Sequence, residues 1–271
     1  MRRINVRIPL FLPEWLYHTL RPVKRKFFTA LTPFARWLSE LVSPGARDAR
    51  IERVYDDYTV QIMSRVLKKN SNCLDVGCNW GYFLEYMLRL APSGNHYAFE
   101  PLPDLAARLR DRFPYVNIMQ MALSDSAGQE AFYHVLDNHG YSGLKITGLS
   151  KNLRTEKLGI ETRRLDDILP RDYKVDFIKV DVEGAELQVF RGAIQTIRKC
   201  KPFILFEHGM GAADWYGTSP DQIYEFLVKR CELSISQLGD WLAGKSPLTR
   251  DAFISLFETH TAWYFLAHPQ E

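Results

Sequence analysis

The sequence predicts an α/β fold, a mostly parallel sheet covered by helices on both faces, and three observations carry that expectation. Short apolar runs alternate along the chain with stretches whose apolar residues fall three and four apart. The strand-like runs are apolar throughout, as in Phe203-Ile204-Leu205-Phe206, the pattern of strands buried on both faces. The last two, Leu233 to Ile235 and Ala262 to Leu266, have no long helical pattern between them, which suggests an antiparallel pair at one sheet edge.

The elements follow in order. Ile51, Val54, Tyr55, Tyr58, Ile62 and Val66 repeat at helical spacing and stop at Lys68-Lys69-Asn70, where cations suit a helix C-terminus. Cys73 to Val76 reads as a strand running into Gly77, and Phe83, Met87 and Leu90 mark a helix that ends before Pro92. A strand at His96 to Phe99, a helix through Leu105, Leu109 and Phe113, and a strand at Val116 to Met121 repeat the unit. Later come a strand at Phe177 to Val180, one helix through Val189, Phe190, Ala193 and Ile197, and the strand at Phe203 to Phe206. Asp240 to Arg250 reads as a loop bearing Gly and Pro, and no repeat of solenoid length is present.

The composition bounds the function. With 271 residues and 46% hydrophobic content the chain can fill a sizeable core, which excludes global disorder. The net charge of +3 is too slight to argue for nucleic acid. It is unevenly spread: residues 1–50 hold ten Lys and Arg against three Asp and Glu, so the remainder is net acidic. Four cysteines without a C-x-x-C pair indicate neither a disulfide framework nor a zinc ribbon, so a reducing, cytoplasmic compartment is expected. No apolar run approaches the ~20 residues that cross a bilayer. Pro9, Pro13 and Glu14 interrupt the N-terminal apolar stretch, which is therefore read as retained rather than as a signal peptide.

Two domains are expected: residues 1–45, a basic, aromatic-rich extension, and residues 46–271, the catalytic domain. In the extension, Phe27, Phe28, Leu31, Phe34, Leu38 and Leu41 fall on one helical face behind Lys24-Arg25-Lys26, with Pro33 as an interruption. Such a stretch either lies on an anionic membrane surface or docks on the domain or a second subunit.

Four segments carry chemistry. In Leu74 to Phe83, between a strand and a helix, Gly77 and Gly81 provide a sharp turn and a backbone that a ligand can approach. A dinucleotide fingerprint would need glycine where Asn79 and Tyr82 stand, so that reading is weakened. Glu100 ends the next strand, where a carboxylate can accept hydrogen bonds from both ribose hydroxyls, and together the two features favour an adenine nucleoside. Asp181 ends the strand Phe177 to Val180, at the working edge of the sheet, while Glu183 and Glu186 read as helix-capping acids. Glu207 and His208 follow the strand Phe203 to Phe206, and a histidine oriented by a carboxylate is a candidate general base. His139 is a weaker candidate in a substrate-facing loop. No histidine spacing marks a metal site, and the expected metal set is none.

These residues carry a resemblance. The order LDVGCNWGYF, FEPLPD, MALSD, Leu165-Asp166, DFIKVDVEGAE and then Phe190-Arg191-Gly192-Ala193 resembles the FkbM-type family of S-adenosylmethionine-dependent methyltransferases over roughly residues 55–270. Cys78 stands where the family often has alanine, and Trp80 where it often has an aliphatic residue.

The resemblance implies the class I methyltransferase Rossmann-like sheet, seven-stranded with an antiparallel edge hairpin, and O-methylation of a hydroxyl on a sugar, glycan, glycolipid or secondary metabolite. It implies that Asp75, Gly77, Asn79 and Gly81 hold the methionine part of S-adenosylmethionine and that Glu100 binds its ribose. Ala122 and Leu123 would flank adenine with Ser124 or Asp125 near its amino group, and Asp181 would lie beside the transferring methyl. Asp181, or His208 oriented by Glu207, would act as base. The competing expectation is a cofactor-binding or membrane-associated scaffold of the same fold. The aromatics Phe132, Tyr133 and Tyr141 are candidates to stack on a sugar ring, within an acceptor-shaping segment at residues 126–165.

Overall fold

The structure, a computed structural model, describes residues 44–148 and 150–270, with side chains from residue 51. The chain divides into two units, residues 1–53 and 54–271. Of the first unit only residues 44–53 are described, all of them helical, and the helical reading of residues 27–42 lies outside the described residues. The helix α1, Pro44–Val66, continues into the second unit.

The second unit holds a seven-stranded sheet in the order β3-β2-β1-β7-β8-β10-β9. Its strands are β1 (Cys73–Val76), β2 (Tyr97–Phe99), β3 (Asn117–Met119), β7 (Phe177–Val180), β8 (Phe203–Glu207), β9 (Leu233–Gln237) and β10 (Tyr264–Pro269). Pairing is parallel from β3 to β8, and β10 runs antiparallel to both β8 and β9. The chain moves outward from β1 through β2 and β3, then returns to β7 on the other side of β1. The β1/β7 gap is thus the switch point beyond whose strand ends an open α/β sheet binds ligands.

Alternation along the strands divides the core in two. Leu74, Val76, Ile178, Val180, Ile204, Phe206 and Phe265 face one layer, which includes Val189, Phe190 and Ile197. Cys73, Phe177, Leu205 and Leu266 face the other, with Ile62, Met63, Leu84, Met87 and Leu109. These layers contain the helices α2 (Tyr82–Leu90), α3 (Pro103–Arg112), α4 (Glu186–Gly192) and α5 (Ile194–Cys200). Each fully buried Leu, Ile, Val or Phe stabilises the fold by roughly 1.5–3 kcal/mol.

Three differences from the expected elements have physical causes. The helix expected through Val189 and Ile197 is two helices that break at Ala193, where Gly192 packs so closely on the Ser124 carbonyl that no Cβ fits. Asp166 caps the second of them, accepting from Gln195 N and Thr196 N at 2.9 Å each. Between β9 and β10 the loop expected at Asp240 to Arg250 is confined to residues 243–249 and is flanked by two unexpected helices, Leu238–Leu242 and Arg250–Glu258, the latter capped by Thr249 and buried through Phe253 and Phe257. Residues 126–165 contain a hairpin of β5 (Gly128–Val135) and β6 (Thr155–Arg163), which with β4 (Ala122–Leu123) makes a second sheet. Each of its long strands begins with three exposed residues and is buried only toward its other end, a weak signal beside the apolar central strands.

Candidate active site

The turn after β1 is built by glycine for packing reasons. Gly77 has φ +73° and its α-carbon lies against the Asp181 carbonyl, so close that a Cβ would collide with that backbone. Gly81, with φ +74°, faces Phe113 and Leu109 of the α3 layer, and a Cβ there would lie 2.7 and 2.8 Å from their ring and methyl carbons. The first glycine therefore lets β1 and β7 end side by side, and the second lets α2 seat on α3. Asn79, also left-handed at φ 49°, donates its backbone N–H to Glu100 Oε2 at 2.9 Å.

Glu100 is held from two sides. Its Oε1 accepts from Leu102 N at 2.9 Å. Burial pushes its carboxyl up to about 7, against the lowering effect of those two backbone donors. Each oxygen keeps a lone pair beyond its backbone bond, enough to accept from two vicinal hydroxyls. Asp75 is buried in β1 and pushed up to about 6 by its burial, with Lys179 acting in the opposite direction. Neither of its oxygens has a hydrogen-bond partner of standard geometry among the described residues. A buried carboxylate without donors is costly, and an ammonium or hydroxyl of a ligand would satisfy it.

Of the four residues named as candidates at adenine, the structure places one on the side of the Glu100 turn. Ala122 packs in a small cluster with Trp80, Leu102, Leu105 and Phe132 beside the Glu100 turn. Leu123 points the opposite way into the main core, because successive strand side chains alternate, and it cannot flank a ligand on the Ala122 side. Ser124 is buried with its N–H on the Arg163 carbonyl at 2.9 Å, and Asp125 is an exposed partner of Arg191 at 3.9 Å.

A second cluster forms beyond the ends of β7, β8 and β10. Lys179 Nζ lies 3.0 Å from Asp181 Oδ2 and 3.8 Å from Asp75 Oδ1. Glu207 hydrogen-bonds both Tyr264, whose hydroxyl donates, and Asp181. Burial, then the charges of Asp181 and Glu186, raises the Glu207 carboxyl well above the usual range, and Glu183 is raised likewise by burial and by Glu207. Glu183 sits at the left-handed φ of 55°, with Gly143 of the hairpin region 3.6 Å from its Cβ as measured from the position a glycine Cβ would take. It lies in the turn before α4. Glu186 does not cap its helix as expected: its carboxylate accepts from Gly184 N at 3.0 Å and Val182 N at 3.4 Å, tying down the turn that precedes α4.

The structure corrects the expected Glu207–His208 pair. Consecutive residues at a strand end face opposite layers, and His208 is buried against Phe257 and Phe253, ring centroids 4.8 and 6.1 Å away. Neither ring nitrogen has a hydrogen-bond partner among the described residues, and burial pushes the imidazole down to about 4. Glu207 does not orient it, and His208 leaves the set of candidate bases. His139 is not a free loop residue either: its Nδ1 lies 2.8 Å from His134 Nε2, and its ring meets Trp80 edge-on. Phe132, one of the candidate sugar-stacking rings, is core. Among the described residues no group of three or more His, Cys, Asp or Glu is arranged to hold a metal ion.

Sequence reasoning missed Lys179 and Tyr264. The signal for Lys179 is a lysine inside the apolar strand Phe177 to Val180, where a charge requires a partner. Tyr264 carried no local signal, because its role depends on the antiparallel pairing that places it opposite Glu207.

This strand order, with the carboxylate and glycine cleft at its switch point, defines a Rossmann-like methyltransferase. Residues 69–235 match the family described as Methyltransferase FkbM domain. The chain belongs to that family, and its methyl donor is S-adenosylmethionine. It is 32% identical over 167 residues to the 2-O-methyltransferase NoeI of Sinorhizobium fredii, covering 55% of this chain and 67% of that protein. It is 30% identical to the methyltransferase sdnD of Sordaria araneosa over 52% of this chain and 66% of that protein. Among solved structures it is similar to a methyltransferase FkbM from Methylobacillus flagellatus, with TM-score 0.46, 16% identity, and coverage of 74% of this chain and 44% of that one.

The residues present fit the cofactor. The turn at Gly77 packs on the Asp181 backbone at the switch point, Asp75 has two buried oxygens without a hydrogen-bond partner of standard geometry, and Glu100 has free lone pairs in a fixed orientation. When bound, the cofactor supplies a methyl group on a positively charged sulfur. Among the described residues no helix is long and apolar enough to cross a membrane.

Proposed function

We propose that this methyltransferase acts on a hydroxyl group, the acceptor being a sugar, a glycan or glycolipid, or a secondary metabolite of small size. The observation that carries the reading is the Asp181–Glu207–Tyr264 hydrogen-bonded cluster beside the glycine turn, with Asp181 partly exposed and its backbone against Gly77. A hydroxyl is a poor nucleophile while protonated, so oxygen transfer gains from a carboxylate at hydrogen-bond distance, typically ~10² to 10⁴ in rate. Asp181 takes the hydroxyl proton, and Glu207, beside it and steadied by Tyr264, fixes its orientation. With the cofactor bound to supply the methyl group, the cleft residues would contribute most of the remaining acceleration by holding the acceptor hydroxyl in one fixed orientation.

Asp75, Gly77, Asn79 and Gly81 are assigned to the methionine end of the cofactor, Glu100 to the ribose, and Ala122 with Trp80 to the adenine side. The printed activity of the Sinorhizobium relative supports oxygen as the acceptor atom. The four cysteines are all unpaired, which fits a reducing cytoplasmic compartment. For residues 1–45 we carry forward a peripheral contact with anionic membranes, tested by sedimentation of intact and truncated protein with vesicles.

The deciding experiment incubates the full chain with methyl-labelled cofactor and a panel of hydroxyl compounds. An alkali-stable methyl ether is expected, with kcat reduced ~10² to 10⁴ in Asp181→Asn. Labelled product only on nitrogen or sulfur would overturn the oxygen reading.

A further inference from the structure

Lys179 stands in the middle of a strand whose neighbours are apolar and buried, yet it carries an ammonium with only 5% of its side chain exposed. Its place follows from register. Asp75 is its direct partner across the β1/β7 pair, and Asp181, two residues on, projects from the same sheet face. Nζ is 3.0 Å from Asp181 Oδ2 and 3.8 Å from Asp75 Oδ1, and the Phe83 ring lies 5.6 Å away. The ammonium is thus enclosed, whereas the Asp181 carboxylate in front of it is 25% exposed.

The surrounding groups give this one cation its weight. Asp75 comes from β1, Cys78 from the turn after it, Glu100 from β2, Glu183 and Glu186 from the segment after β7, Glu207 from β8 and Tyr264 from β10. Lys179 is the cation that acts on Asp75, Glu100 and Glu183. In a low-dielectric site a single enclosed charge sets which carboxyl carries a proton.

We propose that Lys179 is a positioning residue for the transfer: its ammonium fixes the Asp181 carboxylate by one oxygen, so that the other is free to receive the hydroxyl proton of the acceptor. The inference rests on the hydroxyl reading above. As the oxygen–methyl bond forms, the methyl–sulfur bond breaks with its electron pair on sulfur, and the proton moves to a carboxylate oxygen. One positive and one negative charge vanish together, so the net charge of the site is the same before and after.

The test uses Lys179→Met and Lys179→Arg in the full chain. The variant Lys179→Gln, neutral but polar and of similar length, serves if the methionine variant fails to fold. The titration of the clustered carboxyl groups is followed by carbon-13 NMR of Asp- and Glu-labelled protein with S-adenosylhomocysteine bound. In parallel, kcat and KM are measured against pH with the best hydroxyl compound from the panel. Loss of an opposite charge at this distance is expected to move the cluster's titration, and the acidic limb of kcat, upward by about one to three pH units. KM should change little, and Lys179→Arg should restore both curves.

An unmoved carboxyl titration in Lys179→Met or in Lys179→Gln overturns the proposal, as does an equal loss of kcat at every pH. A moved titration with no methyl ether from any hydroxyl compound upholds the electrostatic role of Lys179 and overturns the hydroxyl reading instead.

Discussion

Replacing Glu100 by glutamine separates folding from cofactor binding. The carboxyl is raised from 4.5 to about 7, chiefly by burial. A group whose folded value is raised contributes stability that is fully present below its unfolded value and lost as pH climbs through the folded one. Between pH 4.5 and pH 7 the wild-type protein should therefore lose about 3 kcal/mol through this residue alone. Glutamine cannot ionise, so the variant escapes that loss. It gives back about 1 kcal/mol or more, because only one of its two terminal atoms can accept from the Asn79 and Leu102 N–H groups.

The net expectation at pH 8 is a gain of about 1–2 kcal/mol, or roughly 2–8 °C in melting temperature for a unit of this size. At pH 5 no gain is expected. Affinity for S-adenosylmethionine should fall ~10- to 100-fold, since two hydroxyls lose a charged acceptor. Thermal denaturation of apo protein at pH 5 and pH 8, with calorimetric titration of the cofactor, reads both effects. An equal melting temperature shift at the two pH values, or unchanged affinity, would refute the reasoning.

Three further outcomes follow from particular contacts. Gly81→Ala places a side chain at left-handed φ and 2.7 Å from the Phe113 ring. It should cost about 2–5 kcal/mol in urea denaturation, the sum of backbone strain and overpacking. His208→Phe should keep kcat within about threefold, since the ring has no part in the transfer on the present assignment. It should also abolish the loss of stability that the wild type suffers as pH falls from 6.5 to about 4, where the unfolded chain protonates first. A loss of a hundredfold or more in kcat with an intact fold would return His208 to the active site. Gly77→Ala should abolish cofactor binding, because its Cβ meets the Asp181 backbone, and micromolar affinity in that variant would contradict the packing account.

Much of this architecture was legible because parallel sheets announce themselves. Strands buried on both faces read as uninterrupted apolar runs, and Cys73 to Val76, Phe177 to Val180 and Phe203 to Phe206 all formed as expected. The edge hairpin was legible too, yet the capped helix Arg250–Glu258 between its strands was not, because Asp251 and Arg250 open it with polar residues beside a proline-bearing loop. At the site, Asp75, Gly77, Asn79, Glu100 and Asp181 could be placed from one rule, that ligands meet the carboxyl ends of the strands. That rule fixes the edge but not the face. Leu123 and His208 share the edge with Ala122 and Glu207, and the pleat turns each pair to opposite sides. Lys179 and Tyr264 became visible only with the register, since their partners lie on other strands.

The central claim is that the cleft at the β1/β7 switch point is an S-adenosylmethionine site. Calorimetric titration of the full chain with S-adenosylmethionine, beside NAD and the Glu100→Ala variant, tests it most directly. The account predicts one site of roughly micromolar affinity for S-adenosylmethionine, lost in the variant, with no heat from NAD. Binding of NAD in its place, or S-adenosylmethionine bound equally well without Glu100, would contradict it.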